Sequence, residues 1–358
     1  MFDLIIIGAG PAGTAAALTA ATFGVSPERI LLLEQGRFPR DKVCGEFVSG
    51  EALGLLASLL EDDAVLVERA LRIERARLFF GERHVEFALP TAAASIPRYN
   101  LDSALWHAAK RRGIHCRSQA RVLQLLRNGG TFAVHTPIEV FDTRSVIDAA
   151  GRWSKLQAQA NARPANGGDW IGLKAHFHSR ANPSTDLYFF DGGYCGVQPV
   201  SADKVNVCAM VRGDRAVRLE QVFALHPLLH RRSRAWTQAT DTVATAPLRF
   251  LSPKAVRRDV LCAGDAAGFI DPFAGEGISL ALRSGELAGA ALARFCRGEI
   301  TLTAAVGQYA GQYHGRLLPA FRNAARARAL LDAQLGRRLA LLLMRVPAVA
   351  RLLLKATR

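Results

Sequence analysis

The chain is short of lysine, of paired cysteines and of long apolar runs, and each shortage excludes something. Lysines number 7 against 39 arginines, so guanidinium groups carry most of the formal net charge of +15 over 358 residues. No nucleic-acid-binding module and no aromatic-interleaved basic patch accompanies that charge, which argues against a nucleic-acid partner. The six cysteines, Cys44, Cys116, Cys195, Cys208, Cys262 and Cys296, include no CxxC pair and join no His/Cys cluster at metal spacing. Such usage predicts free thiols in a reducing cytoplasm, without a disulfide framework or a metal site. His176 and His178 share a strand face at period two but lack a third ligand. No uninterrupted apolar segment reaches the roughly 18–20 residues of a membrane span, and the N-terminal apolar run is too short for a secretory leader. Half the residues are hydrophobic, and the length suits two folded domains.

What the chain does have begins at once. Leu4-Ile5-Ile6-Ile7 reads as a strand buried on both faces, as in a parallel sheet. It runs into Gly8, Gly10 and Gly13, with an Ala-rich helical segment from about Pro11 to Phe23. These glycines suit a tight turn, a backbone approach to a pyrophosphate and close helix–strand packing, in that order. Pro11 fits the first helical turn, whose N–H groups and dipole face the phosphates. A second apolar strand, Ile30–Leu33, ends at Glu34, 21 residues past Gly13, where a carboxylate meets the ribose hydroxyls of an adenosine. An acid there disfavours a 2′-phosphate.

Farther on, the α/β rhythm is broken twice. A hairpin is expected around Gly81-Glu82, joining Arg77–Phe80 to His84–Phe87. Leu173–Ser179, Leu187–Phe190, Tyr194–Val200 and Val205–Val211 read as an antiparallel sheet, followed by a polar helix near 214–236. The expected fold is α/β: a Rossmann-like dinucleotide-binding domain, made of residues 1–68, 97–160 and 255–300. It is interrupted by an antiparallel-sheet substrate domain, residues 69–96 and 161–254, and followed by a C-terminal helical segment, 301–358.

The cofactor is read from Gly264 to Ile278. A strand ends on Gly264-Asp265, a turn follows, and a long helix begins near Gly275 and Gly277. An aspartate at a strand end accepts hydrogen bonds from a polyhydroxy chain, and a bare helix N-terminus stabilises a developing anion. A ribityl chain and an anionic reduced ring belong to FAD and not to a nicotinamide cofactor. Glu276, at the positive end of that helix, is explained by capping electrostatics.

Gly8-x-Gly10-x-x-Gly13 with Glu34, Arg98-x-x-x-Asp102, Asp148-x-x-Gly151 and Gly264-Asp265 together resemble the FAD-binding set of the para-hydroxybenzoate hydroxylase superfamily. Lys42-Val43-Cys44-Gly45 and Gly275-Glu276-Gly277-Ile278-x-x-Ala281-x-x-Ser284-Gly285 resemble most the geranylgeranyl reductase branch. The likeness covers about residues 2–295 and implies that the dinucleotide domain is a Rossmann-like FAD-binding domain of the glutathione reductase type. Two departures stand out. Val43 replaces a usual proline, and Tyr194-Cys195-Gly196-Val197-Gln198-Pro199 lacks the Trp and Phe of the branch's Tyr-x-Trp-x-Phe-Pro. The Trp-x-Trp-x-Ile-Pro signature of flavin halogenases is absent as well.

The resemblance implies cofactor contacts at Gly8, Gly10, Pro11, Ala12, Gly13, Glu34, Gln35, Arg40, Cys44, Gly45, Arg98, Val122, Asp148, Gly151, Gly264, Asp265, Pro272, Gly275, Gly277 and Ile278. Cys44 is the candidate catalytic residue, lying over the flavin; a small buried hydrophobe is the alternative. Arg40 and Lys42 are read as contacts to phosphate or to a visiting nicotinamide, or as a solvated basic loop. Tyr194, Cys195 and Tyr188-Phe189-Phe190 are candidates for a substrate cavity or for plain core. The implied activity is that of an FAD-dependent oxidoreductase acting on a hydrophobic small molecule. A reductase transferring hydride from flavin N5 to a C=C bond of a prenyl or polyketide-type substrate comes first. A monooxygenase working through a C4a-hydroperoxide comes second, and a halogenase-like or non-catalytic flavin protein third. No second GxGxxG exists, so NADPH or NADH is expected to visit transiently, or a partner reductase to deliver electrons. Arg351, Lys355 and Arg358, beyond Pro347, form a basic stripe suited to peripheral membrane contact or to solvent.

Overall fold

Leu4, Ile5, Ile6 and Ile7 are each at most 4 % exposed, because the strand they form, Phe2–Ile7, lies in the middle of a mixed sheet. A computed structural model of the chain describes residues 1–332 except 153, 155, 157–169, 181, 249 and 251. The basic stripe of Arg351, Lys355 and Arg358 lies outside the described residues. Across the first sheet the strands run Val256–Arg257, Val260–Cys262, Val140–Asp148, Phe2–Ile7, Ile30–Leu33 and His115–Arg117. All neighbours are parallel except the first pair. The hairpin Gln124–Asn128/Thr131–His135 adds antiparallel pairs to Val140–Asp148. Ile7, Leu33, Asp148 and Cys262 are in register at the carboxyl ends, the edge at which open α/β sheets bind ligands.

The helix Pro11–Thr22 packs on the long helix Gly277–Cys296. The approach is backbone to backbone. A Cβ on Gly285 would sit 2.1 Å from the Ala12 carbonyl oxygen, and one on Gly289 would sit 2.4 Å from that of Ala16. Alanines and glycines four residues apart form the seam: Gly285 meets Ala12 and Gly289 meets Ala16, so the start of the long helix at Gly277 reaches about two turns past the first glycine turn.

The second sheet runs Thr237–Gln238, Trp170–His178, Lys204–Arg212, Gly193–Pro199, Ser184–Phe190, Leu71–Phe80, Arg83–Ser95 and Phe47–Val48, with Val243–Leu248 also on Trp170–His178. It is not wholly antiparallel as expected: Ser184–Phe190 pairs with Leu71–Phe80 in parallel. Hairpin turns dictate direction only within one excursion of the chain, and here two excursions join edge to edge. The polar helix expected over 214–236 is two, Leu219–Ala224 and Pro227–Ser233, since Pro227 cannot donate to a helical ladder. Those helices cover one face of the sheet through Leu219, Val222, Phe223 and Leu229. The other face, with Leu78, Phe189, Tyr194, Met210 and Leu248, turns toward the carboxyl edge of the first sheet. A cavity separates the two.

Candidate active site

The cavity holds about 940 Å³, the upper range for a site that buries a cofactor and a substrate together. At one end lies the glycine turn. Gly8 has φ +98, and a Cβ there would stand 2.3 Å from the Ala149 carbonyl oxygen. Glu34, 4 % exposed, accepts from the amides of Ala9 (3.0 Å) and Gly36 (2.8 Å). Arg40 grips the same carboxylate at 2.5 and 2.9 Å. Arg40 is therefore not a solvated loop residue: it neutralises the buried acid and lines the cavity.

In the middle stretch Arg98 lies across from Gly10, its Nη2 3.9 Å from where a Cβ would be. Its guanidinium is held at two points by Asp102, at 2.6 and 2.7 Å, one helical turn later. Burial, together with Arg40 and Arg98, pushes the Lys42 ammonium down. A site whose neighbouring guanidinium groups disfavour the Lys42 ammonium is one prepared for an anion such as a pyrophosphate.

The far end is built by residues 264–278. Asp271 caps a short turn by accepting from the Phe273 amide at 3.2 Å, and Gly275 takes φ +70 against the Phe47 ring. The helix then starts at Gly277, with buried Glu276 at its N-cap, two residues later than expected. Ser49 Oγ bonds Glu276 Oε2 at 3.2 Å and Ser279 Oγ at 2.7 Å, locking that terminus to the start of the helix Gly50–Leu60. Asp265 lies 3.7 Å from Arg152; burial holds its carboxyl above the usual range, against the pull of Arg152, Arg98 and Lys42.

Cys44 belongs to the loop Asp41–Glu46, which forms the cavity wall between these two ends. Its Sγ accepts the Glu46 amide at 3.3 Å, and its carbonyl accepts from Asn206 Nδ2 at 3.0 Å. Burial pushes the thiol up, although Arg98 and the Glu46 amide pull it down. It therefore stays protonated, unlike an activated nucleophile.

Eighteen of the twenty sequence-predicted contacts line this one cavity; Gly13 and Asp148 do not. Gly13 is covered because its Cα packs on the Gly8 carbonyl, 1.8 Å from an added Cβ. Asp148 is fully buried and spends its carboxylate on the Ala150 amide (3.1 Å) and Ser154 Oγ (2.7 Å). Both are covered by the residues that form the wall. Of the aromatic candidates, Phe189 and Tyr194 face the cavity, while Tyr188, Phe190 and Cys195 point to the helix-covered core. His176 pairs with Glu46 at 2.7 Å, and His178 is exposed. Sequence reasoning missed Glu46 and Lys174. A lysine inside an otherwise apolar strand, Trp170–His178, was the available signal for the second.

Whether FAD fits is decided by empty space beside bare backbone. A Cβ on Gly45, Gly151 or Gly277 would meet nothing within 4 Å, although all three line the cavity. These glycines are not needed for protein packing, and what they leave room for is a ligand running the whole length from Glu34 to the helix start. The FAD binding domain family matches residues 1–305. The chain belongs to that family.

As a member of it, the chain has an FAD binding domain. Among curated proteins it is 25 % identical over 82 % of its length to conditioned medium factor receptor 1 of Dictyostelium discoideum, of which it spans 63 %. It is 27 % identical over 80 % of its length to menaquinone reductase of Mycobacterium tuberculosis, spanning 75 % of that chain. The digeranylgeranylglycerophospholipid reductase of Methanothrix thermoacetophila is 29 % identical over 81 % of this chain and 77 % of its own. In fold it is similar to the flavin-dependent brominase Bmp2, at TM-score 0.81 and 20 % identity, covering 100 % of this chain and 94 % of the brominase. The geranylgeranyl bacteriochlorophyll reductase-like protein of Thermoplasma acidophilum gives TM-score 0.80 and 19 % identity, covering 99 % and 95 %. At such identity these structures speak for the fold alone. Family and relatives together make this a flavin-dependent oxidoreductase.

Among the described helices none is long and apolar enough to cross a membrane.

Proposed function

We propose that this FAD-dependent enzyme is a reductase that adds hydrogen across a C=C bond of a hydrophobic, prenyl- or polyketide-type molecule. One observation carries the reading. Beyond the flavin end the cavity continues under the second sheet, whose described strands line it with apolar side chains and the neutral Thr185, Gln198, Asn206 and Thr245 but with no Asp, Glu, Lys or Arg. Leu78, Phe87, Leu187, Phe189, Met210 and Leu248 line that arm. An apolar arm of this kind binds by area, at ~25 cal/mol per Å² removed from water, and excludes water from the reacting bond. Relatives named for reducing a menaquinone and a digeranylgeranyl lipid agree with such a substrate.

When bound, FAD supplies the hydride. The chain's own residues orient the substrate, keep the arm dry, and hold a proton at Cys44 Sγ on the cavity wall. Burial keeps that thiol protonated, which suits a proton donor to the carbon next to the one receiving hydride. Electrons reach the flavin from a visiting NADPH or NADH, or from a partner reductase.

The test is anaerobic turnover of the flavin-loaded protein with prenylated quinones and unsaturated lipids, followed by mass spectrometry. A gain of two mass units in the substrate is the expected result. In a parallel aerobic run, consumption of O₂ in step with a gain of sixteen, with no gain of two in the anaerobic one, would establish a hydroxylase and sink the reductase. Cys44→Ser should keep FAD and lower the anaerobic rate by ~10²-fold; an unchanged rate removes Cys44 from the chemistry.

A further inference from the structure

Behind the Cys44 loop lies a run of buried titratable groups that the reaction just described leaves unused. In the pairing of Trp170–His178 with Lys204–Arg212, Lys174 stands opposite Cys208 and His176 opposite Asn206. Lys174 and His176 both reach the loop Asp41–Glu46. His176 Nε2 is 2.7 Å from Glu46 Oε2. Glu46 Oε1 is 3.0 Å from Lys174 Nζ, and the same Nζ is 2.7 Å from Asp41 Oδ1. Three contacts thus connect four titratable side chains without a gap.

The middle of the run is buried, with Glu46 0 % and Lys174 1 % exposed, and Glu46, like Asp41, belongs to the cavity wall. Its two ends differ. The Asp41 side chain is 30 % exposed and belongs to the cavity wall. That of His176 is 11 % exposed and lies outside the wall, where Thr240 Oγ1 accepts its backbone N–H. Other groups facing the run are the Arg98 amide on Glu46 Oε1 at 3.1 Å, the Cys44 thiol on the Glu46 amide, and Cys208, whose thiol burial pushes well up. The Arg98 guanidinium is taken by Asp102.

Two carboxylates, one ammonium and one imidazole sum to −1 when the imidazole is neutral and to zero when the set holds one more proton. Burying charge is costly, and an apolar pair would fasten the loop as well. A hydrogen-bonded run with one exchangeable proton, opening on solvent at one end and on the cavity at the other, has a use that an apolar pair lacks.

We propose that His176, Glu46, Lys174 and Asp41 conduct protons between solvent and the cavity. A proton passes from His176 to Glu46 and from Glu46 to Lys174 as Lys174 releases one to Asp41. One proton arrives at the cavity, His176 is refilled from water, and no electron moves along the run. The proposal rests on the site's being a flavin cavity, and it does not depend on which substrate is reduced.

Oxidation of the two-electron-reduced, FAD-loaded protein by ferricyanide frees one proton per flavin, because ferricyanide takes only electrons. Anaerobic stopped flow in unbuffered solution follows flavin absorbance and a pH-indicator dye together. Proton release should keep pace with the flavin in the wild type and lag by at least ~10-fold in Glu46→Gln and His176→Gln. Added imidazole should abolish the lag of His176→Gln, which a merely structural role would not produce. Release in step with the flavin in His176→Gln, or a lag that imidazole leaves untouched, overturns the proposal. Since His176→Gln with imidazole decides alone, a Glu46→Gln protein that fails to hold FAD does not matter. Wild-type protein that takes up no FAD fails this proposal and the flavin reading together. Coupled release without reduction of any C=C substrate fails only the reductase reading.

Discussion

Arg40 and Glu34 are joined at two points, 2.5 and 2.9 Å, at the glycine-turn end of the cavity. Burial pushes the Glu34 carboxyl up, but Arg40 and the amides of Gly36 and Ala9 outweigh it and hold it below the usual range. A depressed carboxyl contributes stability above its unfolded value, ~4.3, which disappears as pH falls through the lower folded value. Urea midpoints of the flavin-free protein should therefore fall on acidification below about pH 4, and Glu34→Gln should flatten that limb. The same variant should bind FAD at least ~10-fold more weakly, for loss of a charge-assisted bond to the ribose. A steep acid limb retained in Glu34→Gln would show that another carboxyl governs it.

Gly277 separates space kept for a ligand from space needed for packing. Its added Cβ meets no protein atom within 4 Å, and it opens a helix. Gly277→Val should leave the flavin-free protein as stable as wild type, within ~0.5 kcal/mol. FAD affinity, measured by flavin fluorescence, should drop at least ~10-fold. Unchanged affinity would place the ring elsewhere.

Gly285 makes the opposite case. Here an added Cβ would stand 2.1 Å from the Ala12 carbonyl oxygen, in backbone that has no side chain to move aside. Gly285→Val should cost about 3 kcal/mol or more, at the high end for overpacking, because two helices must part. Calorimetry or urea unfolding reads it directly, and a loss under about 1 kcal/mol would mean that the helices slide apart at little cost.

His226 supplies a second acid-sensitive element. It is 1 % exposed, stacked edge-on against Tyr188, and its Nδ1 caps the Leu229 amide at 3.5 Å. Burial pushes its pKa down to about 4. The unfolded chain then binds the proton more readily than the folded one, so stability falls as pH drops from about 6.5 toward about 4. The full effect is about 3 kcal/mol. His226→Asn keeps a capping side chain and removes the titration, so its stability should be flat across that window. A slope equal to wild type would assign the effect to another group.

Some of this protein was legible in one dimension because the physics there is local. A buried strand, a glycine turn and an Ala-rich helix follow one another within 23 residues, each determined by its own composition. So the first unit, the acid at Glu34, and the helix terminus near Gly277 could be named from the sequence. Apolar alternation likewise announced the hairpin at Gly81-Glu82, which the structure extends to Leu71–Phe80 and Arg83–Ser95.

What escaped depended on pairings between distant segments. That the two excursions of the second sheet meet in parallel follows from where each leaves the first sheet, a matter on which hairpin periodicity is silent. Arg40 sat in a basic loop and could be assigned to phosphate or to solvent; only the folded chain turns it back onto Glu34. Gly13 and Asp148 match the motif as well as their neighbours do, yet close packing covers them.

The opening glycine turn by itself determined that an adenine dinucleotide would be held, because its backbone geometry and phosphate-facing helix are local properties. Tertiary structure decided the rest. It placed the start of a helix some 260 residues later at the far end of the same cavity. It also laid an apolar sheet over the space between and buried Lys174, His176 and Glu46 against one another. Contacts between residues so far apart in the chain are made by the packing of two sheets, and no local propensity encodes them.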